Sequence, residues 1–169
     1  MKQARVLTDA EFKRLMAVVG QGKHAARNRM AFTLSYLAGL RVGEIAALTV
    51  ADVVDGEGQV RGQLRLSAAI TKGGHARVVF LNERLRKEIA RFVTGCPPEA
   101  GCSQSSPLLF TQKKTAFSAN TLCQLMGLLY RKAGLEARPA IAVVAGSSRV
   151  SPMLASPRKS LCSLLGTKI

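Results

Sequence analysis

Helical hydrophobic spacing recurs along this chain and is interrupted by a single stretch of alternation, which restricts it to a mainly helical fold with a small sheet. Thr8-Asp9-Ala10-Glu11 is a capping-box pattern, and Phe12, Leu15, Met16 and Val19 then recur at helical intervals. Gly20-Gln21-Gly22 breaks that helix. A second helix runs from roughly Ala25 to Ala38 with Met30, Leu34 and Leu37 on one side, and Gly39 is a natural stop. Arg41 to Leu48 predicts a short third helix that turns Ile45 and Leu48 inward. Later, Asn82 caps a helix to about Val93, with Leu85, Ile89 and Phe92 inward. Ser118 or Asn120 starts another, with Leu122, Leu125, Met126 and Leu129 as its stripe and its end near Gly134.

The alternation falls between these helices. Val60–Ser67 reads as a half-buried strand, Thr71-Lys72-Gly73-Gly74-His75 as a turn, and Ala76–Leu81 as the returning strand. The fold class is therefore α+β, mainly helical, with an antiparallel hairpin or a three-stranded sheet. Gly95–Pro107 is a loop rich in Gly, Pro, Cys and Ser, and no internal repeat is present. From Ala137 to Ile169 there is no acidic residue and no helical or strand period. The domain is expected to occupy 1–135, with 136–169 a basic tail.

The length of 169 residues suffices for a core without disulfide or metal staples, and 47% hydrophobic residues argue against global disorder. Lys and Arg number 25 against 10 Asp and Glu, a formal net charge of +15. That excess attracts polyanions, of which DNA or RNA is the commonest partner. Aromatics at 5% argue against a base-stacking platform. Cys96, Cys102, Cys123 and Cys162 have no C-x-x-C spacing, and only His24 and His75 accompany them, so no metal site is expected. Free thiols fit a reducing cytoplasm. The longest apolar run, near Ala140–Gly146, is far too short to span a membrane, and the N-terminus has no signal-peptide core.

Chemistry concentrates in Leu37-Ala38-Gly39-Leu40-Arg41-Val42-Gly43-Glu44-Ile45-Ala46-Ala47-Leu48. A turn after a helix holds a guanidinium at a rigid element end, where its planar fork can grip a phosphate. Glu44, one helical turn on, can orient Arg41 or offset its desolvation. Alone, such a pair would equally serve to stabilise a helix start. The whole string resembles the first arginine box of tyrosine recombinases, the phage-integrase family. Thr71-Lys72-Gly73-Gly74-His75-Ala76-Arg77-Val78-Val79-Phe80-Leu81 is similar to that family's β-hairpin. The resemblance implies that Lys72 acts as general acid toward a leaving 5′ oxygen and that His75 and Arg77 contact the DNA backbone. The stretch from Leu108 through Tyr130-Arg131-Lys132 to Leu135 resembles the family's next segment. It implies phosphate contacts from Lys113, Lys114, Arg131 and Lys132, for each of which a solvated basic face is an equal reading. The first box lies so near Met1 that no core-binding domain is expected ahead of it, and affinity and site specificity should be low.

The family continues with His-x-x-Arg, a second His or Trp, and a nucleophilic tyrosine. After Leu135 this chain has no His and no Tyr. Tyr36 reads as core and Tyr130 as packing or amphipathic surface, neither as nucleophile. In the implied mechanism arginines and a histidine stabilise the phosphorane, Lys72 protonates the leaving oxygen, and tyrosine forms a 3′-phosphotyrosyl link. No metal or nucleotide cofactor takes part. This chain retains Arg41, Glu44 and Lys72 of that set, so a DNA-binding, inactive recombinase fragment is the expectation, and the resemblance implies double-stranded DNA and other recombinase subunits as partners. A catalytically dead DNA-binding module or remnant is the alternative.

The genetic code offers an explanation for the missing boxes. Joining the third base of each codon to the first two of the next, the codons from Pro139 onward permit Ser-His-Ser-Gly-Arg-Arg. Leu164-Leu165-Gly166-Thr167-Lys168-Ile169, with the third base of the Ser163 codon, permits Leu-Ile-Gly-His-Lys-Asp in the same frame. Both strings resemble the family's two missing boxes, and the separation of their histidines is similar to the family's. A frameshift near Glu136–Pro139 is therefore expected. Sequencing the gene should show wobble bases that spell both strings; bases that forbid either would refute the shift.

Overall fold

A computed structural model describes residues 7–71, 74–95 and 103–135. The chain begins with helix α1 (Asp9–Gly20), whose Thr8 hydroxyl accepts from the Glu11 N–H while the Glu11 carboxylate accepts from the Thr8 N–H. This is the reciprocal cap that the sequence predicts. Helix α2 spans Ala25–Ala38 and ends on Gly39 at φ 62, in the left-handed region that glycine enters without a Cβ penalty. Helix α3 (Val42–Ala47) follows after three residues, then a single-turn helix α4 (Val50–Val53) that no hydrophobic period predicts.

Strands β1 (Gln63–Leu66) and β2 (Arg77–Phe80) pair antiparallel, with Gln63 opposite Phe80 and Leu66 opposite Arg77. Among the described residues the sheet has two strands, so the hairpin and not the three-stranded sheet is found. Both strands are shorter than the alternation suggested. A 3-10 turn at Ala68–Ile70 takes up the end of the first run before the connection begins. Helix α5 (Glu83–Thr94) is capped by Asn82, and helix α6 (Ala119–Lys132) by Ser118, which settles the Ser118-or-Asn120 choice.

One apolar core joins these elements. Leu15, Leu34, Leu40, Ile45, Leu64, Leu85 and Ile89 are fully buried within it. Helix α2 packs against α1, α3 and α5, and α6 packs against α1 and α3. The chain after 103 returns to the α3–α4 junction, where the Leu108 N–H donates to the Leu48 carbonyl at 2.8 Å and Thr49 bridges Pro107. Arg27 pins the same region from α2. It donates to the Phe110 carbonyl at 3.2 Å and lies over the Phe117 ring at 5.0 Å from its centroid.

Both tyrosines belong to this core. Tyr36 stacks on Phe12 with ring centroids 4.0 Å apart and donates to the Asp9 carboxylate at 2.5 Å. Tyr130 meets Phe32 edge-on at 5.1 Å. Replacing Ile45 by Ala should cost about 3 kcal/mol in urea unfolding, because a fully buried branched side chain leaves a cavity. Gly39→Ala should cost about 1 kcal/mol through its positive φ. Leu128→Ala, at an exposed position, should stay within about 0.5 kcal/mol.

Candidate functional site

The left-handed turn at Gly39 reverses the chain at the end of α2, Leu40 inserts into the core, and Arg41 then emerges at the N-cap of α3. Its side chain is 47% exposed, while Glu44, one turn further, is 1% exposed. The Arg41 N–H donates to Glu44 Oε2 at 2.8 Å, so the carboxylate satisfies a helix-start donor that the helix itself cannot. The Arg41 guanidinium stands 4.0 Å from Glu44 Oε1, beyond hydrogen-bond distance. Their proximity follows from the i,i+3 spacing at a helix start.

Glu44 also holds a second cation, from a distant part of the sequence. Arg77, at the start of β2, donates from Nη2 to Glu44 Oε2 at 2.6 Å. Strand parity explains the approach. Cross-strand partners share a face, and Arg77 lies opposite the buried Leu66, on the sheet's inner side. Val78 and Phe80 alternate to the outer side, where they are exposed. The signal that could have revealed the pair was therefore the parity of Arg77 with Leu81 and the inner strand positions. The resemblance to the family's hairpin implies only a DNA-backbone contact for Arg77.

Lys72 lies outside the described residues. Thr71 and Gly74 lie on either side of residues 72–73. The Thr71 hydroxyl is within hydrogen-bond distance of the His75 carbonyl, at 2.8 Å, and Gly74 adopts φ 66. His75 is exposed beside this turn. Lys113 and Lys114 sit at the tip of a tight turn closed by the Thr111 N–H on the Thr115 carbonyl at 2.8 Å. Lys114 itself takes a positive φ of 59 there. Arg131 and Lys132 are exposed in the last turn of α6, where the helix dipole also favours cations. The structure thus brings Arg41, Glu44 and Arg77 together and sets His75, Lys113, Lys114, Arg131 and Lys132 on exposed turns and ends. Among the described residues no group of His, Cys, Asp and Glu could hold a metal ion, and no helix is long and apolar enough to cross a membrane.

A profile of the phage integrase family matches residues 5–142. Tyrosine recombinase XerA of Pyrococcus furiosus is 30% identical over 139 residues, which cover 79% of this chain and 43% of that protein. The chain therefore spans less than half the length of this relative. A crystal structure of XerA recombinase aligns with TM-score 0.59 at 20% identity, covering 82% of this chain and 45% of the other. A lambda integrase tetramer bound to a Holliday junction aligns with TM-score 0.56 at 16% identity, covering 85% and 39%. At these identities the structural matches establish the fold, that of tyrosine recombinase catalytic domains.

Neither described tyrosine is tuned as a nucleophile. The hydrogen bond to Asp9, with burial behind it, pushes the Tyr36 hydroxyl up to about 12, and burial alone takes Tyr130 to about 12. Attack requires the opposite shift, toward the phenolate. Because the folded values exceed the ordinary 10.0, the neutral phenols add stability that is complete below pH 10 and is lost as pH rises through about 12. Tyrosinate absorbance should rise near pH 12 in the folded protein and near pH 10 in urea. Titration of either folded tyrosine at or below 10 would contradict this environment.

Proposed function

The chain belongs to the phage integrase family, and from that premise we propose that it is a DNA-binding part of a site-specific DNA recombinase. The observation that carries this reading is the Arg41 turn. There a guanidinium projects half-exposed from a rigid helix start, and its neighbouring carboxylate is already held by another cation. Such a fork is suited to the scissile phosphate. In an intact recombinase of this family the residue at the place of Lys72, on the β1–β2 connection, would supply the proton to the 5′ oxygen as the P–O bond breaks and a tyrosine oxygen bonds to phosphorus. His75, Lys113, Lys114, Arg131 and Lys132 add phosphate contacts that position the duplex without reading its sequence. The net charge of +15 supports this footing. The lambda integrase tetramer on a Holliday junction supports DNA and further recombinase subunits as partners.

The covalent step is not expected of these 169 residues. Their only tyrosines are Tyr36 and Tyr130, both in the core and both held neutral. Residues 136–169, which hold no His or Tyr and only Glu136 as an acidic side chain, are read as out of frame with the family. A catalytically dead DNA-binding module is thus the form of this function that the residues support. The protein should retard a DNA duplex at low salt and release it steeply as salt rises. A suicide substrate, nicked beside the cleavage position, should yield no covalent protein–DNA adduct. An adduct mapped to Tyr36 or Tyr130 would overturn the inactive reading, and binding indifferent to salt would overturn the phosphate footing.

A further inference from the structure

Glu44 is the one buried acidic residue among those described, and it lies between two guanidinium groups. Oε2 is taken by the Arg41 N–H and by Arg77, while Oε1 is buried with no hydrogen-bond partner. That open oxygen faces the Arg41 side chain at 4.0 Å. A shift of about 1 Å would bring Arg41 Nη1 into hydrogen-bond range of it. A buried carboxylate demands a counter-charge, so the two arginines compete for one anion.

We propose that Arg77 is a positioning residue for Arg41: by occupying Glu44 from the sheet, it keeps the Arg41 guanidinium free to grip a phosphate. This rests on the DNA-binding reading of the Arg41 turn. The register supplies the means, because Arg77 sits opposite the buried Leu66 and approaches Glu44 from the inner face of β2. Its 2.6 Å contact is shorter than any that Arg41's side chain makes to the same carboxylate. Without Arg77, Glu44 draws in the nearest remaining cation, and the Arg41 fork turns from the DNA onto the protein. Arg77 thus acts on the phosphate through Glu44 and Arg41, with no contact of its own to DNA.

The test is a duplex-binding titration at several salt concentrations, since each phosphate contact contributes about 0.9 to the log–log salt slope. Arg77→Met should reduce the slope by about one contact, as Arg41→Ala does, and the double variant should lose no more than either. Glu44→Gln removes the charge that captures Arg41, so Glu44→Gln/Arg77→Met should bind with the slope of Glu44→Gln alone. Because the amide leaves no buried charge unpaired, that comparison holds even if Arg77→Met alone fails to fold. A slope that falls by about one more contact in Glu44→Gln/Arg77→Met, or additive losses in Arg41→Ala/Arg77→Met, would make Arg77 a phosphate contact itself and overturn the proposal. A readout without DNA separates this from failure of the binding reading. The side-chain Nε–H signal of Arg41 should gain protection from solvent exchange in Arg77→Met; an unchanged signal refutes the capture whether or not DNA binds.

Discussion

The carboxylate of Glu44 is the constraint on which the arrangement depends. An ionised group removed from water is tolerated only when paired and hydrogen-bonded. Here the partners come from two distant parts of the chain, the Arg41 amide at the start of α3 and the Arg77 guanidinium at the start of β2. One buried anion therefore fastens the sheet to the arginine turn. It also lies in the first turn of α3, where the unsatisfied backbone N–H groups favour negative charge. The same interaction that positions a structural corner thus sets which guanidinium is left to solvent.

Much of the fold was legible because its signals are local. The capping box at Thr8, the left-handed stop at Gly39 and the Asn82 cap each depend on a few neighbouring residues, and all appear where the sequence places them. Non-local features were less legible. The single turn of α4 is held by the Val50 and Ala51 N–H groups donating to the carbonyls of Ser106 and Gln104, contacts that no hydrophobic period announces. The strands shorten because the 3-10 turn at Ala68–Ile70 diverts the chain before the alternation ends. Arg27, which ties α2 to Phe110 and Phe117, carries no motif at all.

The candidate site divides along the same line. Arg41 and Glu44 are three residues apart on one helix start, so their meeting follows from helix geometry. Arg77 reaches Glu44 across 33 positions of sequence, and only the register of the hairpin makes the contact. Lys72 and the stretch from 136 onward lie outside the described residues, so their roles rest on sequence. The tyrosines show how environment limits chemistry within one fold. Each has an aromatic neighbour and a raised titration point, which suits packing and opposes nucleophilic attack.

The central claim is that Glu44 and Arg77 act as one unit joining the sheet to the arginine turn. A double-mutant cycle in urea, with Glu44→Gln, Arg77→Met and the combined variant, measures that unit directly. Because Arg77 is 42% exposed, solvent screening moderates the pair, and a coupling of about 1–2 kcal/mol is predicted. Single costs that add to within about 0.5 kcal/mol would show two independent residues and contradict the account.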